Sequence, residues 1–216
     1  MSKPAIFNPD CQRCPRLSAF LDAVRSEYPD YYAKPVPPFG APDPCLLVVG
    51  LAPGLHGANA TGRPFTGDYA GILLYKTLHD YGFSSRGVSK SVDDGLKLKG
   101  CRITNAVKCV PPQNAPTTGE INECNGYLRS EITALKPGTV ILALGTIAHQ
   151  AVLKALGLKA GAHPFAHGAE HTLTGGLTLI DSYHSSRYNM NTRRLTEAMF
   201  RQVFDKVSAR VHTKNA

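Results

Sequence analysis

Cys11-Gln12-Arg13-Cys14 is a CxxC pair, and Cys109 and Cys124 form a second pair with fourteen residues between them. Four thiolates gathered from two such pairs suit either a 4Fe–4S cluster or a structural zinc, and spacing alone does not separate the two. A redox dithiol is the usual rival of a lone CxxC. Here a shared site would pin the start of the chain to its middle. Three polar side chains stand apart from the cysteines: Asp68 in a glycine-rich stretch, Asn105 after an apolar run, and His184 after another. A carboxylate can stabilise positive charge, an imidazole can donate a proton or a hydrogen bond, and an amide can read a donor–acceptor edge.

Four short apolar runs read as the strands that would carry these groups: Cys45–Gly50, Cys101–Thr104, Thr139–Gly145 and Leu177–Asp181. Helical patterns lie between them. Ile72–Tyr81 has one apolar face, and Ile121, Cys124, Leu128, Ile132 and Leu135 recur at spacings of three and four. Thr117 and Glu120 have the form of a capping box. Thr146 is expected to cap a helix over Ile147–Leu156 that Gly157 ends. Leu17, Phe20, Leu21 and Val24 mark a further helix, and Met199, Phe200, Val203, Phe204 and Val207 another. Strands alternating with helices predict a three-layer α/β/α sandwich around a central four-stranded parallel sheet. The whole of 1–216 is expected to be a single domain, with a disordered tail from about residue 209. The Pro-rich stretch Lys34–Pro44 reads as an irregular connection. Cys45 and Cys101 each open a strand and read as core.

Ligands in such a sheet bind outside the carboxyl ends of the strands. The segments Leu51–Gly57 and Gly62–Asp68 follow the first strand, Asn105–Cys109 the second, and Ser182–Arg187 the fourth. Loops converging from separate strands are where function concentrates. The formal net charge of +8, from 24 Lys+Arg against 16 Asp+Glu, favours an acidic partner such as nucleic acid. Met1–Phe7 lacks a signal-peptide core and no apolar run is long enough to span a bilayer, so a cytoplasmic, nucleoid-associated protein is expected, with no membrane partner. No GxxxxGK[ST] or GxSxG sequence is present, which argues against a phosphate-loop nucleotide hydrolase and a serine hydrolase.

The segments Gly50-Leu51-Ala52-Pro53-Gly54, Arg63-Pro64-Phe65-Thr66-Gly67-Asp68, Asn105-Ala106-Val107-Lys108-Cys109 and Ser182-Tyr183-His184-Ser185-Ser186, taken with the four cysteines, resemble the uracil-DNA glycosylase superfamily. The resemblance runs from Cys11 to about Phe204 and is greatest to family five, the B-type iron–sulfur branch. It implies a monofunctional repair glycosylase that flips uracil, and other deaminated or modified bases, out of DNA and hydrolyses the N-glycosidic bond to leave an abasic site. It also moves the cysteine site to a 4Fe–4S cluster held by Cys11, Cys14, Cys109 and Cys124. The implied partner is DNA containing uracil or other damaged bases, and a monomer is expected. The rival from another class is a non-catalytic nucleic-acid-binding module with a structural metal site.

Uracil leaves as an anion while the sugar becomes cationic, so both charges need stabilising. The resemblance places the family's acid at Asp68, which would orient water and stabilise the sugar; the competing role is an N-cap for a helix starting near Tyr69. His184 would donate to uracil O2, and Asn105 would donate to O4 and accept from N3–H, a pattern cytosine mismatches. A turn-forming Asn is the alternative there. Phe65 would stack on the base or lie in the core. Gly50, Leu51, Ala52, Pro53 and Gly54 are expected at the substrate, and Ser185, Ser186, Arg187, Tyr188 and Asn189 at the DNA, with Met190 beside them. Two departures stand out. Leu51 occupies the position of the family-four glutamate, and Ser185 replaces the proline of the usual His-Pro-Ser, which predicts a less rigid loop.

Overall fold

The computed structural model describes residues 5–212. Its core is a six-stranded sheet in the order β1-β3-β2-β4-β6-β5. The strands are β1 (Phe39–Gly40), β2 (Leu46–Gly50), β3 (Cys101–Asn105), β4 (Val140–Leu144), β5 (Glu170–Thr172) and β6 (Thr178–Ser182). The four strands expected from sequence are β2, β3, β4 and β6, which pair in parallel. β1 and β5 were not expected; they add to the edges antiparallel. At two and three residues, with half-exposed side chains, they carry no apolar run for a sequence to display.

β2 and β4 are buried at every position, as strands covered on both faces must be. Leu46 and Val48 point into a core shared with α3 (Tyr69–Asp80) and α7 (Glu197–His212). Leu47 and Val49 alternate to the opposite face, packed by α4 (Thr118–Thr133) and α5 (Thr146–Leu156). Helices therefore cover both faces, giving the three expected layers.

The helix ends follow local chemistry. In the Thr117 capping box, the Glu120 amide donates to Thr117 Oγ1 (3.2 Å), and the Thr117 amide donates to Glu120 Oε2 (2.7 Å). α5 begins one residue earlier than expected: Gly145, at φ +95°, is the N-cap and Thr146 is already helical. α7 continues to His212 instead of fraying at 209, with Val211 packed against the core. Residues 213–216 of the expected tail lie outside the described residues.

α1 (Pro15–Glu27) is not part of either face. Leu17 and Leu21 pack with Val107, Val110, Cys109, Cys124 and Tyr127, at the end of the sheet where β3 finishes. Arg16 fixes it there through both oxygens of Glu120 on α4 (2.8 and 2.7 Å). Among the described residues, no helix is long and apolar enough to cross a membrane.

Candidate active site

The chain passes from β2 to β3 on one side and then to β4 on the other, so β2 marks a switch point, and a crevice opens beyond its carboxyl end. A cavity of about 780 Å³ lies there. Its walls come from the loops after all four parallel strands, and Asp68, Phe65, Asn105 and His184 all line it.

Asn105 is the last residue of β3 and pairs with Gly50, the last of β2. Its side chain is buried, and Oδ1 has no hydrogen-bond partner. Buried polar atoms are seldom left so, because the loss costs roughly 1–3 kcal/mol. Gly50 is required by this arrangement: a Cβ there would lie 2.4 Å from Asn105 Oδ1 and 2.6 Å from Phe65 Cζ. Among the described residues its Oδ1 accepts no turn-forming bond, which leaves the turn-former reading without support from that atom.

Phe65 is both core and cavity wall. It is 6% exposed, and its ring centroid lies 6.0 Å from that of His184 at 31°. Its φ of +59° is strained for an aromatic residue, a cost of order 1–3 kcal/mol. The surroundings hold it there. Tyr75 Oη donates to Pro64 O (2.8 Å), and Gly71 leaves space for the Phe65 carbonyl, which a Cβ would meet at 1.8 Å. Arg63 is buried and donates to Asp94 Oδ1 (2.9 Å), Ser89 Oγ (3.0 Å) and Val92 O (2.6 Å), tying the turn to the loop before β3. Asp94 sits well below the usual carboxylate range through that guanidinium and three backbone N–H bonds, although burial opposes them.

Asp68 occupies the N-cap position of α3 but makes no side-chain cap bond. Its carboxylate turns to the glycine-rich loop instead, where Oδ2 accepts from Ala58 N (3.0 Å) and the Gly54 amide also donates. Ala58 opens α2 (Ala58–Thr61). A Cβ on Gly54 or on Gly57 would lie 2.1 Å from Asp68 Oδ1, so both glycines make room for this carboxylate. Burial raises its pKa above the ordinary value, and the two amides partly offset that.

His184 follows β6 by two residues and is half-buried. Burial alone pushes its pKa down to about 4, so it is a neutral imidazole at neutral pH. The loop around it is anchored, in place of the missing proline, by Ser185: its Oγ donates to Ala70 O (2.9 Å) on α3. Ser185 is fully buried and therefore presents nothing to DNA, contrary to the sequence expectation. Ser186 caps α6 (Arg187–Asn191) by accepting from Asn189 N (3.3 Å), and Asn189 Nδ2 donates to His184 O (2.8 Å). These two side chains hold the loop. Arg187 and Tyr188 are exposed at the rim, with the Arg187 guanidinium 5.1 Å from the Tyr69 ring centre.

Of the remaining expected substrate contacts, Leu51, Ala52 and Gly54 line the cavity. Pro53 is buried behind the wall, and Gly50 serves by making room, as above. The loop after β4 was missed: Gly145, Thr146, Ile147 and Ala148 also line the cavity. Its position after a parallel strand was the available signal.

The four cysteines come together elsewhere. Cys11, Cys14, Cys109 and Cys124 line one small cavity of about 20 Å³ between α1, α4 and the loop after β3. Cys109 and Cys124 are buried, Cys11 and Cys14 half-buried. Cys14 stands at the N-cap of α1, and Cys124 Sγ accepts from Lys108 N (3.2 Å). Burial, then the neighbouring thiols, push Cys14 up to about 11 and raise Cys109; burial also raises Cys124. Bare thiols here would be neutral, whereas a bound cationic group would favour thiolates. Cys101 is a buried free thiol at the start of β3, as expected, whereas Cys45 lies just before β2 and is half-buried against the same core.

The uracil DNA glycosylase superfamily model matches residues 37–208. The chain belongs to this superfamily. Within it, the chain is 48% identical over 200 residues to the type-5 uracil-DNA glycosylase of Thermus thermophilus, covering 89% of this chain and 90% of that one. It is 43% identical to the type-5 uracil-DNA glycosylase of Pyrobaculum aerophilum, covering 93% and 88%. The type-4 enzyme of the same archaeon is 34% identical over 70% of this chain and 63% of its own. The type-5 relatives bear out the family-five resemblance carried by the motifs.

Proposed function

We propose that this chain is a DNA repair glycosylase that hydrolyses the N-glycosidic bond of uracil, and of other deaminated or modified bases, in DNA. The observation that carries the reading is the cavity that unites Phe65 and Asp68 from the segment after β2, Asn105 from the end of β3 and His184 from the loop after β6. A cavity of about 780 Å³ accommodates a flipped base with part of its sugar. Phe65 supplies an aromatic wall for the base. The unpartnered Asn105 amide accepts from uracil N3–H and donates to O4, so that binding satisfies the orphaned atom. Neutral His184 donates to O2 and spreads the charge of the departing uracil anion. Asp68, held by the Ala58 and Gly54 amides, orients a water and stabilises the positive sugar. A binding module without catalysis needs no carboxylate and imidazole facing the same cavity.

Outside the cavity, Arg187 and Tyr188 at the rim and the net charge of +8 suit contacts with the phosphate backbone. We assign the protein to the cytoplasm, on the nucleoid, acting as a monomer through one domain. Cys11, Cys14, Cys109 and Cys124 would hold a 4Fe–4S cluster. The family-five relationship favours a cluster, which when bound would tie α1, α4 and the loop four residues beyond Asn105 together.

Release of free uracil from a uracil-containing oligonucleotide in single turnover tests the reading directly. Base release that stops in Asp68→Asn supports it, and binding without release by the intact iron-loaded protein overturns it. The purified protein should be brown with about four irons. A colourless, zinc-loaded and fully active protein would refute the cluster.

A further inference from the structure

On the far side of the sheet from the cysteines, three side chains from three elements meet. His149 lies on α5, His171 on the edge strand β5, and Asp181 on β6. Asp181 is fully buried and His149 is 1% exposed, while the His171 side chain is 11% exposed and leaves a path to solvent. His149 Nδ1 lies 2.8 Å from Asp181 Oδ1, and His171 Nε2 lies 3.2 Å from Asp181 Oδ2. One ligand atom from each falls within 4.8 Å of the others.

The proton inventory shows what this group is built around. His149 Nε2 lies 2.9 Å from the His163 carbonyl, which can only accept, so Nε2 carries the proton. Nδ1 then faces a carboxylate oxygen at 2.8 Å, a contact that either a proton or a metal ion between the two atoms can make. A histidine whose outer nitrogen donates to a backbone carbonyl, and whose inner nitrogen meets a carboxylate and a second imidazole, has the outer bonding of a metal ligand. Two imidazole nitrogens and one carboxylate suit zinc and its transition-metal neighbours, and not the all-oxygen demands of calcium or magnesium. The His163 ring lies 5.5 Å from that of His171 between centroids. Phe165 lies against His149 at 5.6 Å.

We infer that His149, His171 and Asp181 form a structural site for a divalent transition metal of the zinc class, separate from the cysteine site and from the active site. Binding would replace the proton at His149 Nδ1, complete coordination with His163 or water, and fasten β5 and α5 to β6. β6 leads within three residues of Asp181 to His184, so the metal would stiffen the strand that carries the active-site imidazole. None of the three residues lines the active-site cavity, and base release at moderate temperature should not depend on the metal.

The test is zinc binding by the iron-loaded full chain, followed at the zinc K-edge, where iron does not interfere. The expected result is one zinc with nitrogen and oxygen neighbours and no sulfur at about 2.3 Å. His171→Gln keeps a hydrogen-bond donor toward Asp181 but removes the ligand. It should weaken zinc binding by more than about a hundredfold, the upper end of what losing an outer-shell partner costs, and abolish the zinc-induced rise in melting temperature. Zinc bound through sulfur, equal affinity in His171→Gln, or no zinc retained by the wild-type chain would each overturn the proposal. In the last case a proton fills the gap. If His171→Gln does not fold, the zinc neighbours in the wild-type protein decide alone.

Discussion

Asp68 stands at the start of α3 yet gives its carboxylate to Ala58 N, 3.0 Å away at the start of α2. It therefore braces the glycine-rich loop rather than its own helix, and its other oxygen lies where Gly54 and Gly57 would otherwise carry side chains. Asp68→Asn keeps an acceptor for Ala58 but loses the charge. Single-turnover base release should fall by about a hundredfold or more, with little change in melting temperature. Gly57→Ala should approach the same loss, because its Cβ would lie 2.2 Å from Asp68 Cγ and displace the carboxylate. Near wild-type rates in Asp68→Asn would move the acid elsewhere.

His184 gives a pH signature. Its folded pKa of about 4 lies below the ordinary 6.5, so as pH falls the unfolded chain takes up the proton first. The neutral-histidine contribution is whole above pH 6.5, shrinks between 6.5 and about 4, and does not change further below. At ~1.4 kcal/mol per pH unit this interval is worth at most about 3 kcal/mol. Urea midpoints of wild type and His184→Gln, measured from pH 7.5 to 4.5, should converge as the pH drops. Parallel curves would show that His184 is solvated and already free to protonate.

Much of this site was legible because its carriers are local patterns. The apolar runs of β2, β3 and β6 end beside Gly50, Asn105 and His184, so reading the strands already places those residues at one edge of the sheet. The Thr117–Glu120 box was equally legible, since a cap needs only residues three apart. What stayed hidden depends on distant partners. Arg63 and Asp94 are 31 positions apart, and nothing in either segment announces the buried pair that fixes the Phe65 turn. His149, His171 and Asp181 read as three unrelated polar residues until β5 joins the sheet. Ser185 misled because a serine next to a motif histidine looks exposed, whereas its hydroxyl is spent on Ala70 O, 115 positions away.

Ser185 separates anchoring from DNA contact. Ser185→Ala removes the bond to Ala70 O and should cost about 1 kcal/mol of stability. Base release should fall with it as the His184 loop loosens. DNA affinity at one salt concentration should be unchanged, because the side chain is buried. Arg187→Ala, at the exposed rim, should do the reverse: weaker DNA binding with a shallower salt dependence and an intact fold. Loss of DNA affinity in Ser185→Ala with normal base release would reverse the two assignments.

Asn105 should show that the site is built for its ligand at the fold's expense. Its Oδ1 is buried without a partner among the described residues, a penalty of roughly 1–3 kcal/mol that a bound base would relieve. Asn105→Ala removes the penalty together with the amide. Its melting temperature should therefore hold or rise, against a modest loss from the space left behind. Uracil release should meanwhile fall by roughly five- to a hundredfold, the worth of a positioned hydrogen bond. Asn105→Asp should also harm uracil release, because an ionised carboxylate cannot donate to O4. Bases whose edges fit the amide less well, such as hypoxanthine or ethenocytosine where the wild type releases them, should lose less in Asn105→Ala. The measurement is single-turnover release of each base by wild type and both variants, beside their melting curves. A destabilised Asn105→Ala with equal losses across all bases would mean that the amide supports the β3 end and its loop, and does not read the base.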